Sequence, residues 1–152
     1  MAVTPKKSTG SGTTASISTD GGSQYKEFAS ITSLGPPNMT RGTVDVTDMN
    51  SFSNNDQMKE FLVDFIEADE MTIEGFVVGT DEGRDAAETA FYNGSEVSIK
   101  IVLPTAIGKT MTVTGLLTAW RPIGDISTDS GIAFSLSIKP TKKPTLAATS
   151  GD

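Results

Sequence analysis

Reactive chemistry has few places to sit in this sequence. Its 152 residues include no histidine and no cysteine, which removes proton shuttles, thiol nucleophiles and soft metal ligands together. Gly108, Lys109 and Thr110 resemble the end of a phosphate-binding loop, but that motif needs a glycine where Leu103 stands. The order around them reads strand, turn, strand, so no helix N-terminus is there to receive phosphate. Asp81, Glu82 and Asp85 lack the alternating ligands and closing bidentate glutamate of a calcium loop, and helix-start electrostatics account for them. Asp69 and Glu70 are adjacent, which on a strand sends them to opposite faces and keeps them from working as an acid–base pair. Trp120 beside Arg121 fits the packed rim of a barrel or sandwich better than a ligand platform. No catalytic residue, metal ligand or cofactor is therefore expected, and function should reside in shape and surfaces.

Those surfaces must be carried by strands. Val97, Ile99, Ile101 and Leu103 alternate with Ser98 and Lys100; Met111, Val113, Gly115 and Leu117 alternate with Thr112, Thr114 and Thr118; Ile132, Phe134, Leu136 and Ile138 alternate with Ala133, Ser135, Ser137 and Lys139. A period of two places one face in a core and the other outside it. Earlier strands are expected over residues 27–32, 43–48 and 71–78, with residues 34–38 leaving the sheet because Pro36 and Pro37 supply no ladder donor. The link 104–109 suits a hairpin turn, and the longer polar link 122–131 a loop.

Helical spacing shows twice. Met58, Phe61, Leu62, Phe65 and Ile66 recur on one side of a helical wheel, with Lys59, Glu60, Asp64 and Glu67 on the other, which predicts a helix or helical turn there. It would pack on its own sheet or project toward another subunit; an acidic polar face argues against a membrane surface. A second helix is expected over residues 83–93, where Ala87, Ala90 and Phe91 form a stripe and Asn93 with Gly94 closes the end.

Size and composition suit one compact domain. Residues 1–26 are expected to be a flexible Ser/Thr/Gly-rich arm, 27–139 the folded domain and 140–152 a flexible tail, because the ends offer few large apolar side chains against the entropy of ordering. No apolar run reaches the length of a membrane span, and the start lacks a secretory apolar region, so a soluble, unexported chain is expected. The net charge of −7 is concentrated: Asp45, Asp48, Asp56, Glu60, Asp64, Glu67, Asp69, Glu70 and Glu74 fall in one stretch relieved by Lys59. This is either a solvated face or a surface that repels polyanions, and both readings oppose a phosphate-gripping nucleic-acid binder.

The order of elements resembles the major tail tube proteins of long-tailed bacteriophages. The resemblance covers about residues 28–140 and rests on Ile31, Thr32, Ser33, Leu34 and Gly35, on the run from Gly42, Thr43 and Val44 to Asp48, on Glu60, Phe61 and Leu62, and on Glu74 with Gly75. The 86–91 helix with Gly94 and the closing run at 134–140 complete it. The chain departs from the family pattern at Asp64 and Asp69 and in its long N-terminal arm.

The resemblance implies a mainly β protein: a β-sandwich or flattened β-barrel with one flanking α-helix and a long excursion between the second and third strands. It implies a structural virion protein of the tail, made in the host bacterial cytoplasm, whose copies form stacked, hexameric rings. Its partners would be further copies of itself, tape measure and tail-end proteins, and phage DNA in transit without specific binding, with no membrane binding. On that basis Thr43, Asp45, Thr47, Thr72 and Glu74 are expected on the lumen face of a hairpin made by the second and third strands. Met58, Phe61, Leu62 and Phe65 are expected at a contact between rings. A monomeric immunoglobulin-like binding or adhesion module and the tube of a contractile injection machine remain alternatives.

Overall fold

The computed structural model describes residues 9–149, and the expectations for 1–8 and 150–152 lie outside the described residues. The elements run β1 (Thr14–Ser18), β2 (Lys26–Glu27), β3 (Ser33–Gly35), β4 (Met39–Asp45), α1 (Ser51–Asn54), β5 (Phe61–Ala68), β6 (Met71–Phe76), α2 (Glu82–Asn93), β7 (Glu96–Val102), β8 (Lys109–Arg121), β9 (Ala133–Pro140) and β10 (Thr145–Ala148). They form two compact units, 37–69 and the remainder. Eight strands make one sheet in the order β2-β1-β7-β8-β9-β6-β3, with β10 also on β8, whereas β4 and β5 pair only with each other.

The alternating runs set the main sheet. Val97, Ile99, Ile101, Val113, Phe134, Leu136 and Ile138 are buried, as period-two burial requires, and Met71 and Ile73 of β6 join them. Phe28 stacks on Phe134 with ring centroids 6.2 Å apart, and Trp120 lies 6.1 Å from the same ring, so Trp120 is a packed residue. Leu34 of β3 and Ile101 of β7 line one concavity although three strands separate them in the sheet order, so the sheet folds over its own core as an open sandwich. At Gly75 a side chain would collide with the Ser30 carbonyl, which explains a glycine on the core face of β6.

The flanking helix is α2. Asp81 caps it by accepting the Arg84 N–H at 3.1 Å, Glu82 and Asp85 lie in its first turn, and Gly94 closes it at φ 68°. Asp81 also accepts the Ala29 N–H at 3.1 Å, so this carboxylate ties the helix to the segment after β2. Gly108 (φ 69°) lies in the β7–β8 turn, closed by its N–H to the Pro104 carbonyl at 3.0 Å. Asp69 and Glu70 fall in the link between β5 and β6 rather than on a strand. Among the described residues no helix is long and apolar enough to cross a membrane, and no group of acidic side chains could hold a metal.

Four expectations are corrected. Part of the anticipated arm is β1, inside the sheet between β2 and β7, where Ala15, Ile17 and Ser18 are buried; two apolar side chains in the right register suffice once the rest of the sheet covers them. Part of the anticipated tail is β10, which continues along β8 from the end of β9. The expected strand at 27–32 is instead the short β2 followed by a crossing segment, and β3 re-enters the sheet at Ser33 before the two prolines. The helix expected around Met58–Ile66 is the strand β5, discussed below.

The burial of Ile17 yields a direct test. Ile17→Ala should lower stability by about 2–5 kcal/mol, read as a shifted denaturation midpoint with an unchanged denaturant slope. A midpoint that stays in place would mean that β1 does not belong to the cooperative fold.

Candidate assembly surfaces

The unit formed by residues 37–69 is a two-stranded antiparallel ribbon. Cross-strand partners are Asp45 with Phe61, Val44 with Leu62, Thr43 with Val63, and Arg41 with Ile66, with an irregularity opposite Gly42. Directly opposed residues share a face, and successive residues alternate. One face therefore carries Thr43, Asp45, Phe61 and Val63, and the other carries Val44 and Leu62. Apolar side chains on both faces, interrupted at Asp64 and Phe65 by the irregularity, reproduce the spacing of an amphipathic helix. The β-branched and aromatic content of this segment is the signal that favours a strand.

Within this unit neither face has a covering layer. Phe65 is 86% exposed, and Met39, Val44, Phe61, Leu62, Val63 and Ile66 are all exposed. An isolated hairpin of this kind is marginal in water, and contiguous apolar surface on a soluble molecule marks an interaction site. The same unit carries seven carboxylates against Arg41 and Lys59, a net −5 of the chain's −7.

The ribbon is extended at its tip by backbone and side-chain bonds. Val46 donates its N–H to the Glu60 carbonyl at 3.0 Å, the Thr47 hydroxyl accepts the Glu60 N–H at 2.8 Å, and the Thr47 N–H donates to Asp45 Oδ1 at 2.9 Å. The Thr47 side chain and N–H, with Lys59 further off, hold the Asp45 carboxyl below its ordinary value.

The structure does not unite the five residues expected on one hairpin. Thr43, Asp45 and Thr47 belong to the ribbon, whereas Thr72 and Glu74 lie on β6, whose neighbours are β3 and β9. There Thr72 faces Ser137 and Glu74 faces Ser135, giving an exposed, hydroxyl-rich patch with one carboxylate. The expected pairing of strand 43–48 with strand 71–78 fails because β5, unrecognised as a strand, takes the place beside β4. Of the four apolar residues expected at a contact, Phe61 and Leu62 point to opposite faces, Phe65 sits in the irregular stretch, and Met58 lies beyond the strand in the tip loop. Met49 and Phe52, also exposed in the tip, were not anticipated because the sequence offers no periodic pattern around them.

Comparison with known proteins finds no matching family model and no matching curated sequence. Solved structures do match. A subunit from the tail of an empty gene transfer agent particle, refined with C6 symmetry, superposes with a TM-score of 0.69 at 14% identity, over 93% of this chain and 100% of that one. A subunit of the six-fold symmetrised anti-feeding prophage baseplate gives 0.65 at 12%, over 99% and 98%. The SPP1 tail tube gives 0.61 at 11%, over 90% and 76%. The chain thus has the tail tube fold, in accord with the mainly β sandwich expected from its sequence.

The tip geometry makes a testable statement. Thr47→Val should move the Asp45 carboxyl upward toward its ordinary value in a carbon-detected NMR titration. Because the folded value is depressed, the turn is favoured at neutral pH and loses that support as pH falls through the depressed value. An Asp45 titration unmoved by the substitution would assign the effect elsewhere.

Proposed function

We propose that this chain is a tail tube subunit whose copies close into six-membered rings that stack into a hollow cylinder for DNA delivery. The observation that carries the reading is the ribbon: an acidic unit with apolar side chains on both faces and no cover of its own, in a chain with the tail tube fold. Head-to-tail contacts that close by rotation make rings, and open strand margins can be joined between subunits.

In this reading the bore wall takes Thr43, Asp45 and Thr47 from the ribbon and Thr72 and Glu74 from β6, contributed by separate sheets. Carboxylates there repel phosphate, so DNA passes without being held. Met58, Phe61, Leu62 and Phe65 cover a neighbour in the adjacent ring. Leu62 lies on the face away from Asp45, which lets one side of the ribbon serve the bore and the other a contact, whereas Phe61 shares the Asp45 face and would reach its neighbour from the strand end. The chain's partners are then other copies of itself, tape measure and tail-end proteins, and DNA in transit; it acts in the virion tail after synthesis in the host cytoplasm.

Concentrated protein viewed by negative-stain electron microscopy should form hollow cylinders of regular axial repeat. Leu62→Asp should leave a folded monomer without cylinders. A wild-type chain that stays monomeric at every concentration would instead fit an immunoglobulin-like binding module. Cylinders bearing Asp45→Lys and Glu74→Lys together should retain double-stranded DNA at low salt and lose it at high salt. Variant cylinders that hold no more DNA than wild type would remove these two residues from the bore.

A further inference from the structure

The tip of the ribbon combines a polar scaffold with an apolar display. Asp48 Oδ1 accepts the N–H groups of Asn50 (3.0 Å) and Ser51 (3.1 Å), and Ser51 Oγ accepts the Asp48 N–H at 3.1 Å. Ser51 is only 2% exposed, and Asn55 Nδ2 donates to the Met58 carbonyl at 3.3 Å. Asp56 and Gln57 adopt left-handed backbone at φ 49° and 66°, which turns the chain back toward β5. This network holds outward Met49, 96% exposed, and Phe52, 68% exposed. An aromatic side chain on a preformed loop binds with little ordering cost.

The main sheet offers a receptor of matching character. A concavity of about 310 Å³ is lined by Ile31, Leu34, Pro36, Ile101 and Leu103, with Thr32 also on its wall. The Leu103 N–H donates to the Lys109 carbonyl at 3.0 Å, so an exposed lysine stands at the same strand end. The tip brings Asp48 and Asp56, the opposite sign.

We propose that Phe52 of one copy seats in the Ile31–Leu34–Ile101–Leu103 concavity of a second copy, with Asp48 and Asp56 facing its Lys109. Knob and pocket are built from different residues, so the contact can repeat head-to-tail from copy to copy, as a growing tube requires. An aromatic anchor filling an apolar pocket is the kind of contact that dominates an interface. The inference rests on the self-assembly proposed above and names the surface that receives the ribbon.

The absence of native cysteine makes the test clean. Ser53→Cys, exposed beside the retained Phe52, and Thr32→Cys at the pocket wall should together let a short bis-maleimide link assembled full-length chains into a ladder of covalent multimers, with neither single variant giving a ladder. Phe52→Ala should raise the concentration needed for assembly at least about tenfold, whereas Phe52→Leu should assemble nearly as wild type. Cylinders without a ladder, or links confined within single chains, would overturn this contact while leaving the tube reading intact. A wild-type chain that never assembles would overturn the tube reading and this contact with it.

Discussion

A two-stranded sheet has two faces and no layer of its own to cover either, and that constraint governs the 37–69 unit. Its backbone groups are paired across β4 and β5, so hydrogen bonding is met inside the ribbon. Its apolar side chains are exposed, and burying them would be favourable. Cover has to come from outside the ribbon's own two strands. The self-assembly proposed for this chain follows from that imbalance more than from any single residue.

The main sheet is organised in the opposite way. β8 is its spine, thirteen residues long, with β7 along one margin and β9 followed by β10 along the other. The irregularity between Leu117 and Ala119 re-aims the strand so that Trp120 returns to the core against Phe134 while Arg121 stays outside. α2, capped by Asp81, closes over part of this sheet with Ala87 and Ala90. This unit carries a sufficient core of its own.

Charge is divided unequally between the two. Most of the net negative charge belongs to the 37–69 unit, whose carboxylates sit among exposed apolar groups, while the main sheet presents hydroxyls from Ser98, Thr114, Ser135 and Ser137 on its outer side. A surface that is at once acidic and apolar suits the tube subunit proposed here, which would adhere to its own kind and let a polyanion slip past. No reactive centre is needed for either task.

Strict alternation made β7, β8 and β9 legible, with only Leu103 and Ile132 of the alternating runs falling just outside their strands, because a period of two has one structural meaning when one face is buried. Asn93 with Gly94 likewise marked the end of α2, since a left-handed cap has few alternatives. The absence of histidine and cysteine already leaves the chain without imidazole proton shuttles or thiol nucleophiles. Tertiary structure alone decided that Ile17 enters the core, that Thr145–Ala148 extends the line of β9, and that 61–68 is a strand beside β4. The reason is physical: short or two-sided apolar segments have no period that distinguishes their partners, so only the neighbour that completes their backbone pairing determines what they become.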